Sequence, residues 1–356
     1  MIQSLPLSQP PRSLCVLRLS AIGDVCHTLP VVRTLQHAWP RTAITWVIGR
    51  TEAALVGDIP DIEFIVHDKK GGRRGMASLR DRLRGRHFDV LLMMHASLRA
   101  NLISRMIAAD IRLGFDRARA REFQWLFSTH RIAARRHEHV MDGLFGFAEA
   151  LGVRERVLRW DIPLSAADRD FAQALIPDGR PALLISPCSS SRLRNFRNWS
   201  ADRYAAVAEH ALGRGLQVLL TGSNTEIEQQ YGRDISALTR GPVTSLIGKT
   251  SLKQLLALLA RATAIVTPDS GPAHMATAVG TPVIGLYASS NPGRTGPYDR
   301  HWTVNKYPEA LRDDCGLSVE EARWGQRVRD PRAMELIMVD DVTAMLDRVL
   351  AETAAR

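Results

Sequence analysis

Apolar residues recur along this chain in two alternating rhythms. Residues 14–19 form a short apolar run, and after residues 20–24 the apolar positions return at Leu29, Val32 and Leu35 with helical spacing. That pattern predicts a strand, a tight turn and a helix. Residues 43–48 read as a second strand and 88–93 as another, separated by an Arg-rich helix or loop over 73–86. Strands alternating with helices build parallel βαβ units.

The pattern loosens over residues 161–181, where Pro163, Pro177, Asp178 and Gly179 fall close together. The cycle then restarts. Strands are predicted at 181–186, 216–220, 243–247, 264–266 and 283–287, with helices at 201–213, 252–260 and 273–279. Two α/β units of similar size follow, each Rossmann-like, facing one another across a cleft. The expected division is 1–165, a linker at 166–180, and 181–356, with the last helix free to pack back on the first domain. In such sheets ligands bind at the carboxyl ends of the strands.

Composition narrows the class. At 356 residues, two cores are the default. Hydrophobic residues at 45% and charged residues at 24% fit a globular rather than a disordered chain. A formal net charge of +10 favours an anionic partner, such as nucleic acid, a phosphorylated substrate or an acidic membrane surface, though solvated Arg faces explain it equally well. Cys15, Cys26, Cys188 and Cys315 are scattered, which disfavours a disulfide framework or zinc site. Neither a signal peptide nor a membrane span is expected, because residues 255–266 are interrupted by Arg261.

Three post-strand segments carry candidate chemistry. In Arg-Leu-Ser-Ala-Ile-Gly-Asp at 18–24, Gly23 would let the backbone turn and place Asp24 at a strand's carboxyl end. A helix-capping Asp with no chemistry is the plainer alternative. In Thr-Pro-Asp-Ser-Gly-Pro-Ala-His at 267–274, small residues at a helix start would expose N–H groups to phosphate, and Asp269 would accept from a ribose hydroxyl or cap the helix. The hydroxyls and arginines of 186–199 suit a diphosphate, or else a solvated polar loop. His137 and His139 lack a third ligand nearby, so no metal site is expected. The chain has neither G-x-G-x-x-G nor a Walker A sequence, which disfavours an oxidoreductase, an epimerase or a P-loop enzyme. A nucleic-acid-binding protein would explain the charge, but the basic stretches lack interleaved aromatics.

Together these segments resemble the ADP-heptose:lipopolysaccharide heptosyltransferases of glycosyltransferase family 9. The resemblance spans nearly the whole chain and rests on Gly23-Asp24 with His-Thr-Leu-Pro at 27–30, on Asp-Ser-Gly-Pro-Ala-His at 269–274, and on Arg-Asn-Trp at 197–199. Residues 44–49 and 186–190 look closest to the heptosyltransferase I subgroup acting on phosphorylated Kdo. The resemblance implies a GT-B fold and an inverting, metal-independent transfer of L-glycero-D-manno-heptose from ADP-heptose to Kdo-lipid A, phosphorylated or not. Heptosyltransferase II or a later-core enzyme is the nearest alternative.

By match to the motif, Asp24 is the general base. Arg197 would stabilise the diphosphate, with Ser186, Ser189, Asn224, Thr250, Ser251, Asp269, Ser270, Gly271, Pro272 and His274 on the donor. Ser20, Gly23, Lys69, Arg73, Arg99, Arg119, Arg121 and His139 would face the acceptor. No cofactor, metal or nucleic acid is implied. The expected location is the cytoplasm, at the inner face of the inner membrane. The family often has Lys where this chain has Arg197, and an acidic ribose partner near Asn224, which here carries no charge.

Overall fold

The computed structural model describes residues 4–189, 195–299 and 301–354. Its contacts divide the chain into two units, Met1–Pro163 and Leu164–Arg356. The first contains β1 (Ser13–Leu17), α1 (Ile22–Ala38), β2 (Ala43–Gly49), α2 (Arg50–Val56), β3 (Ile62–His67), α3 (Gly72–Leu83), β4 (His87–Leu92), α4 (Leu98–Ser104), β5 (Ala108–Gly114), β6 (His130–Arg131) and α5 (Val140–Leu151). Its six strands are all parallel, in the order β3-β2-β1-β4-β5-β6.

The second unit contains α6 (Ala166–Leu175), β7 (Ala182–Ile185), α7 (Ala201–Gly213), β8 (Gln217–Leu220), α8 (Glu226–Leu238), β9 (Val243–Ser245), α9 (Leu252–Arg261), β10 (Ala264–Pro268), α10 (Gly271–Ala278) and β11 (Val283–Tyr287). It ends with α11 (Pro292–Thr295), β12 (Val304–Asn305), α12 (Tyr307–Cys315) and α13 (Val339–Ala354). The sheet order is β12-β11-β10-β7-β8-β9, again all parallel. Numbered within its own unit, this is the same strand order as the first sheet. Each sheet therefore reverses direction beside its first strand, between β1 and β4 and between β7 and β10. In open α/β sheets ligands bind at such points.

The inner strands are near-continuous apolar runs because helices cover both faces of a parallel sheet. All residues of β7, β10 and β11 are buried. One core gathers Cys15, Leu17, Val47, Leu91 and Ile103. The other gathers Leu183, Trp199, Tyr204, Val266 and Ile284.

One expectation changes. Residues 166–180 are no linker, because α6 occupies most of them and packs on α9. Ser165 Oγ accepts from Asp168 N–H at 3.1 Å, and the Asp168 carboxylate accepts from Ser165 N–H at 3.1 Å, a capping box that starts the helix. Pro163 and Pro177 flank that helix rather than interrupt it. The last helix, α13, turns Val342, Leu346 and Val349 into the core of its own unit, against α7.

Candidate active site

The first switch point is built on the end of β1. Arg18 leaves the strand with its side chain 10% exposed, and its Nη2 meets Asp24 Oδ2 at 2.5 Å. Nη1 of the same guanidinium donates to the carbonyl of Met94, just past β4. Arg18 thus ties the ends of the two strands that flank the reversal. Asp24 stands in the first turn of α1, where Oδ2 also accepts from Ala21 N–H at 3.2 Å. Asp24 caps the helix start and its side chain still remains 37% exposed.

Gly23 corrects one expectation. It lies within the helical first turn of α1, so residues 19–21 make the turn. Ser20 is half-buried in that turn. The glycine that permits close approach is Gly49. A Cβ there would sit 2.4 Å from Leu19 O and from Glu52 Oε2, while Gly49 N–H donates to Leu19 O at 2.9 Å.

Two further groups at this place were missed. His95 follows β4, and its Nδ1 accepts from Leu19 N–H at 3.2 Å. Burial, chiefly, with the Arg18 and Arg99 charges against the opposing pull of Asp24, pushes its pKa down to about 4. Glu52 is buried at the start of α2, and desolvation raises its pKa. The only available signal was position, because both residues follow the ends of central strands.

Among the basic residues, the structure separates two groups. Lys69, Arg73 and Arg99 line a cavity of about 510 Å³ together with His67, Gly72, Met76, Ala77 and Arg80. No carboxylate lines it. Arg119 is engaged elsewhere. Its Nε pairs with Asp116, its Nη1 with Glu138 at 2.9 Å, and its Nη2 donates to Ala133 O at 3.1 Å. All three nitrogens are occupied, so its local role is to brace the loop before α5. Arg121 is exposed and outside the cavity. His139 is buried as the N-cap of α5, with Nδ1 accepting from Met141 N–H at 3.1 Å and its ring 5.2 Å from that of His27, edge to face. Among the described residues no three His, Cys, Asp or Glu side chains gather as a metal centre requires.

The second switch point pairs the loop after β7 with the turn after β10. Arg197 Nη1 donates to Asp269 O at 2.9 Å and lies 3.3 Å from Asp269 Oδ2. Asp269 is buried. Ser270 is the N-cap of α10, with its Oγ 2.8 Å from Thr267 Oγ1, and Gly271 and Pro272 open the helix that carries the buried His274. Small residues and a proline at the helix start leave its first N–H groups to other acceptors.

Around Arg197 the loop is organised by asparagines. Ser189 N–H donates to Asn198 Oδ1 at 3.0 Å, Ser189 Oγ to Asn195 Oδ1 at 2.9 Å, and Arg197 N–H to Asn195 Oδ1 at 3.1 Å. Ser186 is buried, its N–H bonded to Val266 O. Ser190, Arg192 and Arg194, within the predicted diphosphate loop, lie outside the described residues. Trp199 belongs to the core, with its ring edge to face with Tyr204 and its Nε1 donating to Ile337 O at 3.0 Å.

At the outer strands, Asn224 is exposed after β8 and its Oδ1 accepts from Gln229 at 3.0 Å. An acid does stand nearby, one turn into α8. Glu228 accepts from Ser223 N–H at 3.1 Å and from Thr225 Oγ1 at 2.6 Å. Thr250 is half-buried after β9. Ser251 caps α9 in a capping box with Gln254, which accounts for that serine without a ligand.

Each of the two Rossmann-like units, with its all-parallel sheet, presents an Arg–Asp pair at its own switch point. The chain belongs to glycosyltransferase family 9, the heptosyltransferases, whose profile matches residues 76–314, and it is a glycosyltransferase. It is 41% identical over 343 residues to the lipopolysaccharide core heptosyltransferase OpsX of Haemophilus influenzae, covering 96% of this chain and 98% of that one. Solved structures share the fold. A family 9 glycosyltransferase from Veillonella parvula superposes with TM-score 0.77 at 23% identity, over 96% of this chain and 97% of that one. The E. coli heptosyltransferase WaaC with ADP does so with TM-score 0.73 at 18% identity, over 95% and 99%.

Proposed function

We propose that this enzyme transfers L-glycero-D-manno-heptose from ADP-heptose to Kdo of the lipopolysaccharide inner core, with inversion and without a metal. The coarser activity, heptosyl transfer in lipopolysaccharide core assembly, rests on family membership and on the likeness to OpsX. The finer acceptor assignment rests on the sequence likeness of residues 44–49 and 186–190 to the heptosyltransferase I subgroup. Heptosyltransferase II or later-core activity would share the donor and differ in the acceptor.

The observation that carries the chemistry is the pair of charged clusters at the two switch points. Asp24 is a half-exposed carboxylate fixed by Arg18 and Ala21 N–H. In the proposed step the acceptor hydroxyl gives its proton to Asp24 as its oxygen forms a bond to the anomeric carbon. The bond from that carbon to the diphosphate oxygen breaks, and ADP leaves with the electron pair. Arg197, aimed by Asp269, would meet the charge that grows on the diphosphate. The same guanidinium provides the positive charge that a metal supplies in other transferases, so activity is expected to survive EDTA.

The acceptor would be Kdo-lipid A, phosphorylated or not, at the inner face of the inner membrane. The cation-lined cavity of Lys69, Arg73, Arg80 and Arg99 supports an anionic acceptor group in the first unit. No helix among the described residues is long and apolar enough to cross a membrane. The test incubates the enzyme with ADP-heptose and with Kdo-lipid A, its Kdo-phosphorylated form, or a heptosylated acceptor, and weighs the products. A mass gain of one heptose on either Kdo acceptor is expected. Gain on the heptosylated acceptor alone would overturn the acceptor assignment.

A further inference from the structure

Residues 97–127 of the first unit hold a patch that the chemistry above does not use. Leu98 and Leu102 are 50% and 53% exposed on one face of α4, and Phe123, Trp125 and Leu126 are 63%, 44% and 61% exposed in the loop that follows β5. Soluble surfaces scatter such residues singly. Here they adjoin, because the loop is bonded to the helix. Asn101 Nδ2 donates to Glu122 O at 2.8 Å, and Leu98 N–H donates to the Glu122 carboxylate.

The loop is held firmly from beneath. Gln124 is fully buried between two exposed neighbours, its Nε2 donating to Met93 O at 2.9 Å and its Oε1 accepting from Phe115 N–H at 3.0 Å. Arg112 reaches the underside as well, donating to Phe127 O at 2.7 Å and Ser104 O at 2.8 Å. Glu122 and Phe123 hold φ of 51° and 61°, a left-handed conformation that is costly for non-glycine residues and persists where the surroundings impose it. A buried glutamine thus anchors a short turn that raises three large apolar side chains into water.

We propose that this patch docks on the surface of an anionic lipid bilayer. Phe, Trp and Leu projecting from a basic surface suit the interfacial zone, where rings sit at headgroup level and arginines reach the phosphates. Segments 97–105 and 117–127 contain five arginines (Arg99, Arg105, Arg117, Arg119 and Arg121) and one carboxylate, Glu122. Arg119 is spent on Asp116 and Glu138, and the exposed Arg99, Arg105, Arg117 and Arg121 outnumber Glu122, so the outward balance is positive. A second copy of the chain fits poorly, because a two-fold pairing would set these arginines against their own equivalents. The patch also continues into the cationic cavity, since Arg99, next to Leu98 in the same turn of α4, lines it. Docking would hold that cavity at the depth of lipid headgroups. The biological sense of this inference rests on the proposed lipid-linked acceptor; the docking itself does not.

The test measures partition of the full chain onto vesicles of phosphatidylethanolamine and phosphatidylglycerol, and onto phosphatidylcholine vesicles. Binding is expected on the first and weaker binding on the second. Phe123→Ser with Trp125→Ser and Leu126→Ser should lower partition about tenfold or more, and Leu98→Gln with Leu102→Gln, in a separate element, should also lower it. Trp125→Phe should keep binding but lose most of the blue shift in tryptophan emission. Activity on a detergent-dispersed acceptor should be unchanged in all three, which separates this inference from the reading of the reaction. Absence of vesicle binding by the unaltered chain, equal binding by both apolar variants, or a dimer in solution that those variants dissolve would each overturn it.

Discussion

His95 allows a prediction whose size follows from its surroundings. The imidazole is enclosed behind the end of β4, takes Leu19 N–H on Nδ1, and has Arg18 and Arg99 as cationic neighbours. A second positive charge there would be desolvated, would face Arg18, and would turn Nδ1 from an acceptor into a donor aimed at Leu19 N–H. The folded protein therefore keeps the ring neutral down to a pKa of about 4, against 6.5 in the ordinary range. The unfolded chain takes up a proton at 95 near pH 6.5, whereas the folded chain does so only near pH 4. The stability this neutral ring provides is thus fully present above pH 6.5 and lost as pH falls toward 4. At 1.36 kcal/mol per tenfold in proton affinity, the whole loss is about 3 kcal/mol, most of it complete by pH 4.5. His95→Gln keeps a side chain that can accept from Leu19 N–H and does not titrate. Urea unfolding of both proteins at pH 7.5, 6.0 and 4.5 isolates the effect, because every other titrating group, including His67, cancels in the difference. The stability of wild type relative to the variant should fall by roughly 2–3 kcal/mol between pH 7.5 and 4.5. A difference that stays flat over that interval would refute the reasoning.

Asp24→Asn keeps the contact with Ala21 N–H but removes the base, so kcat should drop by about 10²–10⁴ with ADP affinity little changed. Near-normal turnover in stopped-time assays would remove Asp24 from its role. Arg197→Ala should both weaken ADP-heptose binding and slow transfer, while Arg197→Lys should recover part of the rate, since it restores charge without the fork. Equal kinetics for all three proteins would exclude the diphosphate contact. Arg73→Glu with Arg80→Glu, on α3, should raise the acceptor KM roughly tenfold or more and leave ADP binding intact, with the effect shrinking in high salt. Trp199→Ala should cost about 3–5 kcal/mol of stability by opening the core beside Tyr204. A drop below 1 kcal/mol in urea unfolding would contradict that.

Much of the fold was legible because a parallel sheet covered on both faces writes its strands as apolar runs. Strands β1, β7, β10 and β11 stood out for that reason, and the restart of the rhythm after residue 181 announced a second unit. Helix α6 was hidden although Ala167, Phe171, Ala172 and Leu175 recur at helical spacing, because it is short, just Ala172 of it is fully buried, and the flanking prolines suggested a break. For the site, the motif residues Asp24, Arg197 and Asp269 do stand at the carboxyl ends of central strands. Their partners were harder to see. Arg18 and His95 are 77 residues apart and meet because β1 and β4 are neighbours in the sheet, a pairing that no local pattern encodes. Ser251 and Trp199 carried motif signals that the structure explains by a helix cap and a core ring. Arg119 looked like any other surface cation until its three acceptors were in place.

The two units place the same pair of residue types at equivalent points and expose them in opposite ways. At the first switch point the arginine is the buried partner, 10% exposed against 37% for Asp24; at the second the aspartate is buried, 8% against 19% for Arg197. A buried guanidinium bonded to both a carbonyl and a carboxylate fixes the carboxylate while its side chain stays partly exposed. A buried aspartate that takes the arginine through both its carbonyl and its side chain fixes the guanidinium and leaves its remaining N–H groups facing outward. The first arrangement suits a group that must accept a proton; the second suits one that must meet an anion. Removing the buried member of either pair leaves its more exposed partner without the charge that holds it in place. Asp269→Asn should therefore impair transfer through Arg197 although Asp269 itself need not touch the sugar. The readout is a rise in the KM for ADP-heptose together with a lower kcat, and a rate that stays low when Arg197 is also changed to Ala. If Asp269→Asn and Arg197→Ala instead multiplied their effects independently, the two residues would not be acting as one unit.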